Sequence, residues 1–123
     1  MTPTANANLF SRLFDNLDDP SRLAIETLDG RHISYGDLVA RSGQIANFLV
    51  KRGVKTGDRV AVQVEKSVQN LILYLGVVRA GAVFLPLNTA YTLNELDYFI
   101  TDAEPSVVVC DPAKAEGLRA IAA

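Results

Sequence analysis

The run from Val68 to Thr92 constrains the chain most. Its first half places Val68, Leu71, Ile72, Leu75 and Val78 on one face of a helix, and Leu73, Tyr74 and Val77 make the other face apolar too. Such a helix needs cover on most sides. Gly81 stands where a helix ends on a left-handed residue, which glycine adopts without a Cβ clash. The apolar stretch Ala82 to Leu85 predicts a strand stopped by Pro86, which has no N–H for a ladder. Upstream, Arg59 to Val64 alternates as a second strand. Strand, helix and strand within about thirty residues make a βαβ unit. The segment from Leu87 to Tyr91 then lies at a strand's carboxyl end, where open α/β sheets bind ligands.

The remaining segments extend this unit. Leu9, Phe10, Leu13 and Phe14 predict a short amphipathic helix over 8–14, docked on the body of the domain, and Asp18-Asp19-Pro20 breaks the chain after it. Leu23 to Leu28 and Arg31 to Ser34 flank Asp29-Gly30, a hairpin signal. Ser34 with Asp37 caps a helix from Tyr35 to about Arg52 whose buried stripe is Leu38, Ile45 and Leu49, ended by Gly53. Gly57-Asp58 turns the chain into the strand at Arg59, and Ser67 caps the central helix. Thr92 to Glu95 reads as a capping box opening a helix through about Ala103, with Leu93, Leu96 and Ile100 inward. Pro105 ends it, Val107 to Cys110 reads as a buried strand, and Asp111-Pro112 starts a last helix with Leu118 and Ile121. The fold class is α/β: a hairpin and helix, then β-α-β-α-β-α with a mostly parallel sheet. Residues 8–53 form the first part and 54–123 begin an α/β sheet.

Composition bounds the function. Twelve basic and 14 acidic residues offer no basic surplus for nucleic acid. The N-terminus lacks the pattern of a secretory signal, and Met1 to Ala7 reads as a disordered lead. Arg79, Gly81 and Pro86 interrupt the longest apolar stretch short of the ~20 residues a membrane span needs, so the chain reads as cytoplasmic. The single cysteine, Cys110, reads as a small buried strand residue, and the single histidine, His32, has no nucleophile or metal partner at usable spacing. Asp18-Asp19 reads as a turn, Asp111 as a cap, and Lys51, Arg52 and Lys55 as cations at a helix carboxyl end. Neither nucleotide-binding glycine fingerprint is present. By motif alone this is an α/β domain with no catalytic constellation and no metal site.

Three ordered blocks add to this reading. Asp29 to Leu38, then Gly57 to Val62, then Arg79 to Asn88 resemble the opening of the AMP-forming acyl-CoA synthetases, the adenylate-forming superfamily that includes luciferase and peptide-synthetase adenylation domains. The resemblance runs from about residue 8 onward. Glu65-Lys66-Ser67 and Pro86 to Leu96 are most similar to malonyl- or methylmalonyl-CoA synthetases. It implies an enzyme that activates a small carboxylate with Mg-ATP to an acyl-adenylate and transfers the acyl group to CoA. The family's phosphate loop, its Tyr-x-Thr-Glu stretch, its ribose-binding Asp and its catalytic lysine all lie downstream of residue 123. No catalytic residue carries over, and the chain alone is expected to be inactive and to hold ATP, Mg and CoA only weakly.

The resemblance implies that Asn88, Thr89, Ala90 and Tyr91 line the channel where CoA meets the acyl group, with Lys114 and Arg119 as cations toward CoA phosphates. The simpler reading is that Asn88 and Tyr91 hold the turn before the next helix. An open sheet edge and apolar helix faces point to self-association. A non-catalytic binding or oligomerisation module on this fold, and a small flavodoxin-like phosphate binder, remain the alternatives.

Overall fold

The structure, a computed structural model, describes residues 8–122, so the lead read over Met1 to Ala7 lies outside the described residues. Helix α1 (Leu9–Phe14) is capped by Asn8, whose side-chain oxygen accepts from the Phe10 N–H. A hairpin of β1 (Leu23–Glu26) and β2 (His32–Ser34) follows. Its strands are shorter than the sequence suggests. The Thr27 N–H bonds to the Arg31 carbonyl and Gly30 sits at φ +86°, so three residues form the loop, with glycine at its left-handed position. Helix α2 (Tyr35–Lys51) opens on a complete capping box: Ser34 Oγ accepts from the Asp37 N–H while the Asp37 carboxylate accepts from the Ser34 N–H.

The sheet has three parallel strands, β3 (Arg59–Gln63), β4 (Val83–Pro86) and β5 (Val107–Cys110), in the order β4-β3-β5. Its register pairs Val60 with Phe84 on one side and with Val107 on the other. Helix α3 (Val68–Arg79) links β3 to β4 and ends as expected. The Gly81 N–H bonds to Val78 and the Ala82 N–H to Val77, a double closure made possible by Gly81 at φ +79°. Helix α4 (Leu93–Ala103) links β4 to β5. A 3₁₀ turn at Pro112–Lys114 precedes α5 (Ala115–Ala122), where a single helix was expected.

The layers follow from the alternation along β3. Val60 and Val62 join Leu49 of α2 and Val77 of α3, whereas Ala61 joins Leu96 and Ile100 of α4 and Leu118 of α5. The crossover through α3 leads from β3 to β4 and that through α4 leads back past β3 to β5, so the two run in opposite directions, and a single hand then requires helices on opposite faces. Helix α3 also packs Ile72 and Leu75 against Phe10, Ile33 and Leu38, so it joins the hairpin unit to the sheet. Helices α2 and α3 approach closely because Gly76 has no side chain: a Cβ there would lie 2.5 Å from Ile45 Cγ2. Ser42 and Ala46 are buried at this crossing, while Ile45, expected in the buried stripe, is half-buried between two clusters.

Other expectations need correction. Strand β5 is half-buried along its length, Cys110 included, because it is an edge strand with one free side. Leu93 is half-exposed rather than inward, lying over Gly117. Thr92 caps α4, but the Glu95 carboxylate accepts from the Thr92 hydroxyl. That helix ends on Glu104 in the left-handed region at φ 48°.

Candidate functional site

The loop after β4 is built from backbone carbonyls and borrowed donors. The Leu87 N–H extends the ladder to the Val62 carbonyl at 2.8 Å, and Leu87 is buried. Asn88 Oδ1 accepts from the Ala90 N–H at 2.9 Å and the Asn88 carbonyl from the Tyr91 N–H at 3.1 Å, a turn closed by its own first residue. Tyr91 stacks on Phe99 of α4 with ring centroids 4.9 Å apart. Asn88 and Tyr91 therefore do hold the turn, as the simpler reading has it. Asn88 and Ala90 are exposed, and Thr89 and Tyr91 half-buried.

Two side chains from elsewhere in the sheet region, one on β3 and one in the 3₁₀ turn after β5, tie this loop down. Gln63, the last residue of β3, donates from Nε2 to the Asn88 carbonyl at 2.9 Å and to the Tyr91 carbonyl at 3.5 Å. Lys114, following β5, donates from Nζ to the Thr89 carbonyl at 2.9 Å. Lys114 and Tyr91 also line a cavity of about 230 Å³ with Leu93, Leu96, Ala113 and Gly117. Arg119 lies apart from it, beside Pro105, Ser106 and Cys110 in a separate cleft between β5 and α5. The structure thus brings Lys114 to residues 88–91 and leaves Arg119 elsewhere.

A second concavity escaped the sequence reading. With the order β4-β3-β5, the connections diverge between the carboxyl ends of β3 and β5, the switch point where doubly wound sheets bind ligands. A crevice of about 300 Å³ opens there, lined by Val64, Glu65, Ser67, Asn70, Val109 and Asp111. Asp111 holds the cap position of the 3₁₀ turn but makes no side-chain cap bond. Only the strand order could have shown this crevice, and that is a non-local property.

Neither place carries reactive machinery. Among the described residues, no three of His, Cys, Asp and Glu converge where they could hold a metal. His32 is exposed on the hairpin, 3.4 Å from Glu26. The carboxyls held below the ordinary aspartate range serve turns and caps: hydrogen bonds from Ser21 lower Asp19, from Thr27 Asp29, from Ser34 Asp37, and from the Lys55 N–H Asp58. What the loop offers is shape and fixed backbone dipoles, to which the crevice adds the carboxylates of Glu65 and Asp111.

Residues 16–123 match the family described as AMP-binding enzyme. The crystal structure of MatB from Rhodopseudomonas palustris superimposes with a TM-score of 0.93 at 69% identity, over 96% of this chain and 24% of that one; an ATP-bound MatB structure matches equally. Tyrocidine synthase 1 of Brevibacillus parabrevis is 31% identical over 111 residues, 89% of this chain and 10% of its own length. A long-chain-fatty-acid–CoA ligase of Bacillus subtilis is 35% identical over 108 residues, 87% of this chain and 19% of its own. The chain thus spans a quarter or less of the length of each of these relatives.

Proposed function

The chain belongs to the AMP-binding enzyme family, and from that premise we propose that it is the N-terminal portion of an ATP-dependent acyl-CoA ligase acting on malonate or methylmalonate. The observation that carries this is the 69% identity with MatB at a TM-score of 0.93 across nearly the whole chain. It joins the subgroup resemblance at Glu65 to Ser67 and Pro86 to Leu96.

In this reading the acid's carboxylate oxygen attacks the α-phosphorus of Mg-ATP and pyrophosphate leaves. The CoA thiol sulfur then attacks the acyl carbon, and AMP leaves with the electron pair of the acyl–oxygen bond. This chain supplies neither the phosphate loop nor the catalytic lysine. Residues 8–53 (helix, hairpin, helix) and 54–123 (the start of the sheet) form scaffold, and Asn88, Thr89, Ala90 and Tyr91 line part of the channel for CoA and the acyl group. The half-exposed edges of the sheet favour self-association when the chain stands alone. The parent works in the cytoplasm; among the described residues no helix is long and apolar enough to cross a membrane.

The test pairs intact mass with ATP–pyrophosphate exchange on malonate and methylmalonate. A 13.3 kDa chain without exchange, and a longer protein carrying this segment with acid-dependent exchange, are the expected results. Exchange by the 13.3 kDa chain itself contradicts the reading, because a phosphate site would then exist within it.

A further inference from the structure

We propose that Gln63 and Lys114 are positioning residues that fix the loop at 88–91 for CoA; the assignment of CoA rests on the ligase reading above. Among the described residues the loop follows an edge strand, so the ladder holds it on one side only. Its carbonyls at 88, 89 and 91 instead accept donors from the carboxyl ends of the other two strands, Gln63 at the end of β3 and Lys114 just beyond β5. The central strand and the far edge of the sheet thereby clamp one turn together.

Gln63 is fully buried, and its Oε1 has no partner among the described residues. A buried amide costs free energy that an apolar side chain avoids. Methionine has a similar length and would fill the space without that cost, so what the amide contributes is the position of the two carbonyls. Lys114 acts likewise on Thr89, with its ammonium half-buried at the rim of the adjoining cavity. A loop already held in one conformation charges none of its ordering to the ligand, whereas a loosened loop takes that cost out of the affinity.

The variants Gln63→Met, Lys114→Met and Lys114→Arg are made in the full-length protein carrying this segment. Two readouts are taken: hydrogen exchange of the amides at 88–91, and the KM for CoA beside the KM for the acid. Each methionine variant is expected to speed loop exchange and to raise the CoA KM about tenfold more than the acid KM, the size of one lost hydrogen bond. Lys114→Arg keeps the donor and stays near the parent in both. Unchanged loop exchange overturns the clamp, and so does a faster loop with an unshifted CoA KM. Parallel rises in both KM values together with early melting reduce Gln63 to a core residue and overturn it too. Absence of CoA-dependent product from the unmodified protein overturns the ligase reading, leaving loop exchange to judge the clamp separately.

Discussion

Replacing Gly76 by alanine tests the packing of α2 on α3. The new Cβ would lie 2.5 Å from Ile45 Cγ2, 2.6 Å from Ile45 Cβ and 3.1 Å from the Ser42 carbonyl oxygen. Carbon atoms in contact prefer about 3.5–4.0 Å, so the helices must part by about 1 Å. Little can yield. Ile45 Cβ is fixed to the backbone, Cγ2 turns only about a stiff χ1, and the Ser42 oxygen is backbone. Overpacking of this kind costs about 3 kcal/mol at the upper end of its usual range. Alanine returns about 1 kcal/mol of helix propensity over glycine. The net is a loss of about 2 kcal/mol, or about 8 °C in Tm for a domain of this size. Urea unfolding followed by far-UV circular dichroism reads it directly. Adding Ile45→Ala removes Cγ2 but leaves the Cβ contact, so the double variant stays well below the parent. A Gly76→Ala chain more stable than the parent by the helix-propensity gain would refute the close crossing.

Three further outcomes follow from local chemistry. Ser34→Ala removes the N-cap of α2 and lowers stability by about 1 kcal/mol in the same urea assay. The Asp37 carboxyl is held low first by the Ser34 N–H and then by the Ser34 hydroxyl; a carboxyl lowered on folding stabilises above its unfolded value and loses that contribution as pH falls through the folded value. Stability should therefore drop as pH falls below the ordinary aspartate value of 3.8, and Asp37→Asn should flatten that decline in a pH series of melts. Glu104→Gly relieves a left-handed residue at the end of α4 and should raise stability by about 0.5–1 kcal/mol; an unchanged melting curve would show that the residue is not strained.

Arg79 is the tie between three helices. Its Nη1 donates to the Val39 carbonyl at 2.8 Å, and its guanidinium lies 4.5 Å from the Phe10 ring centroid. Arg79→Met should cost about 1 kcal/mol, with faster hydrogen exchange confined to α1 and the α2 surface beneath it. Uniform loosening across the sheet would contradict that assignment.

Signals carried by adjacent residues were legible in the sequence. Ser34 with Asp37, Ser67, Gly53 and Gly81 each announce a helix end through chemistry within four positions, and each is found where it was read. What failed was set by distant partners. The apolar run Val107 to Cys110 reads as a buried strand, yet it is a half-buried edge strand because the crossover through α4 carries it past β3 to the far side. Leu93 has the right period to face inward but meets Gly117 of α5 at the surface. The end of α4 read at Ala103 before Pro105 is found there, although Glu104 closes it in the left-handed conformation usual for glycine. At the site, the turn at Asn88 to Tyr91 was readable, but the Gln63 and Lys114 bonds span 25 or more residues, and the crevice between β3 and β5 exists only once the strands are ordered.

The most direct test of the central claim is to replace the corresponding N-terminal segment of Rhodopseudomonas palustris MatB with residues 8–122 of this chain and measure ATP–pyrophosphate exchange beside unmodified MatB. Exchange at the unmodified rate is the predicted result, since the proposed function makes this segment scaffold beside the CoA channel and puts the adenylating groups outside it. A chimera that folds and melts like MatB yet has lost exchange would contradict the account.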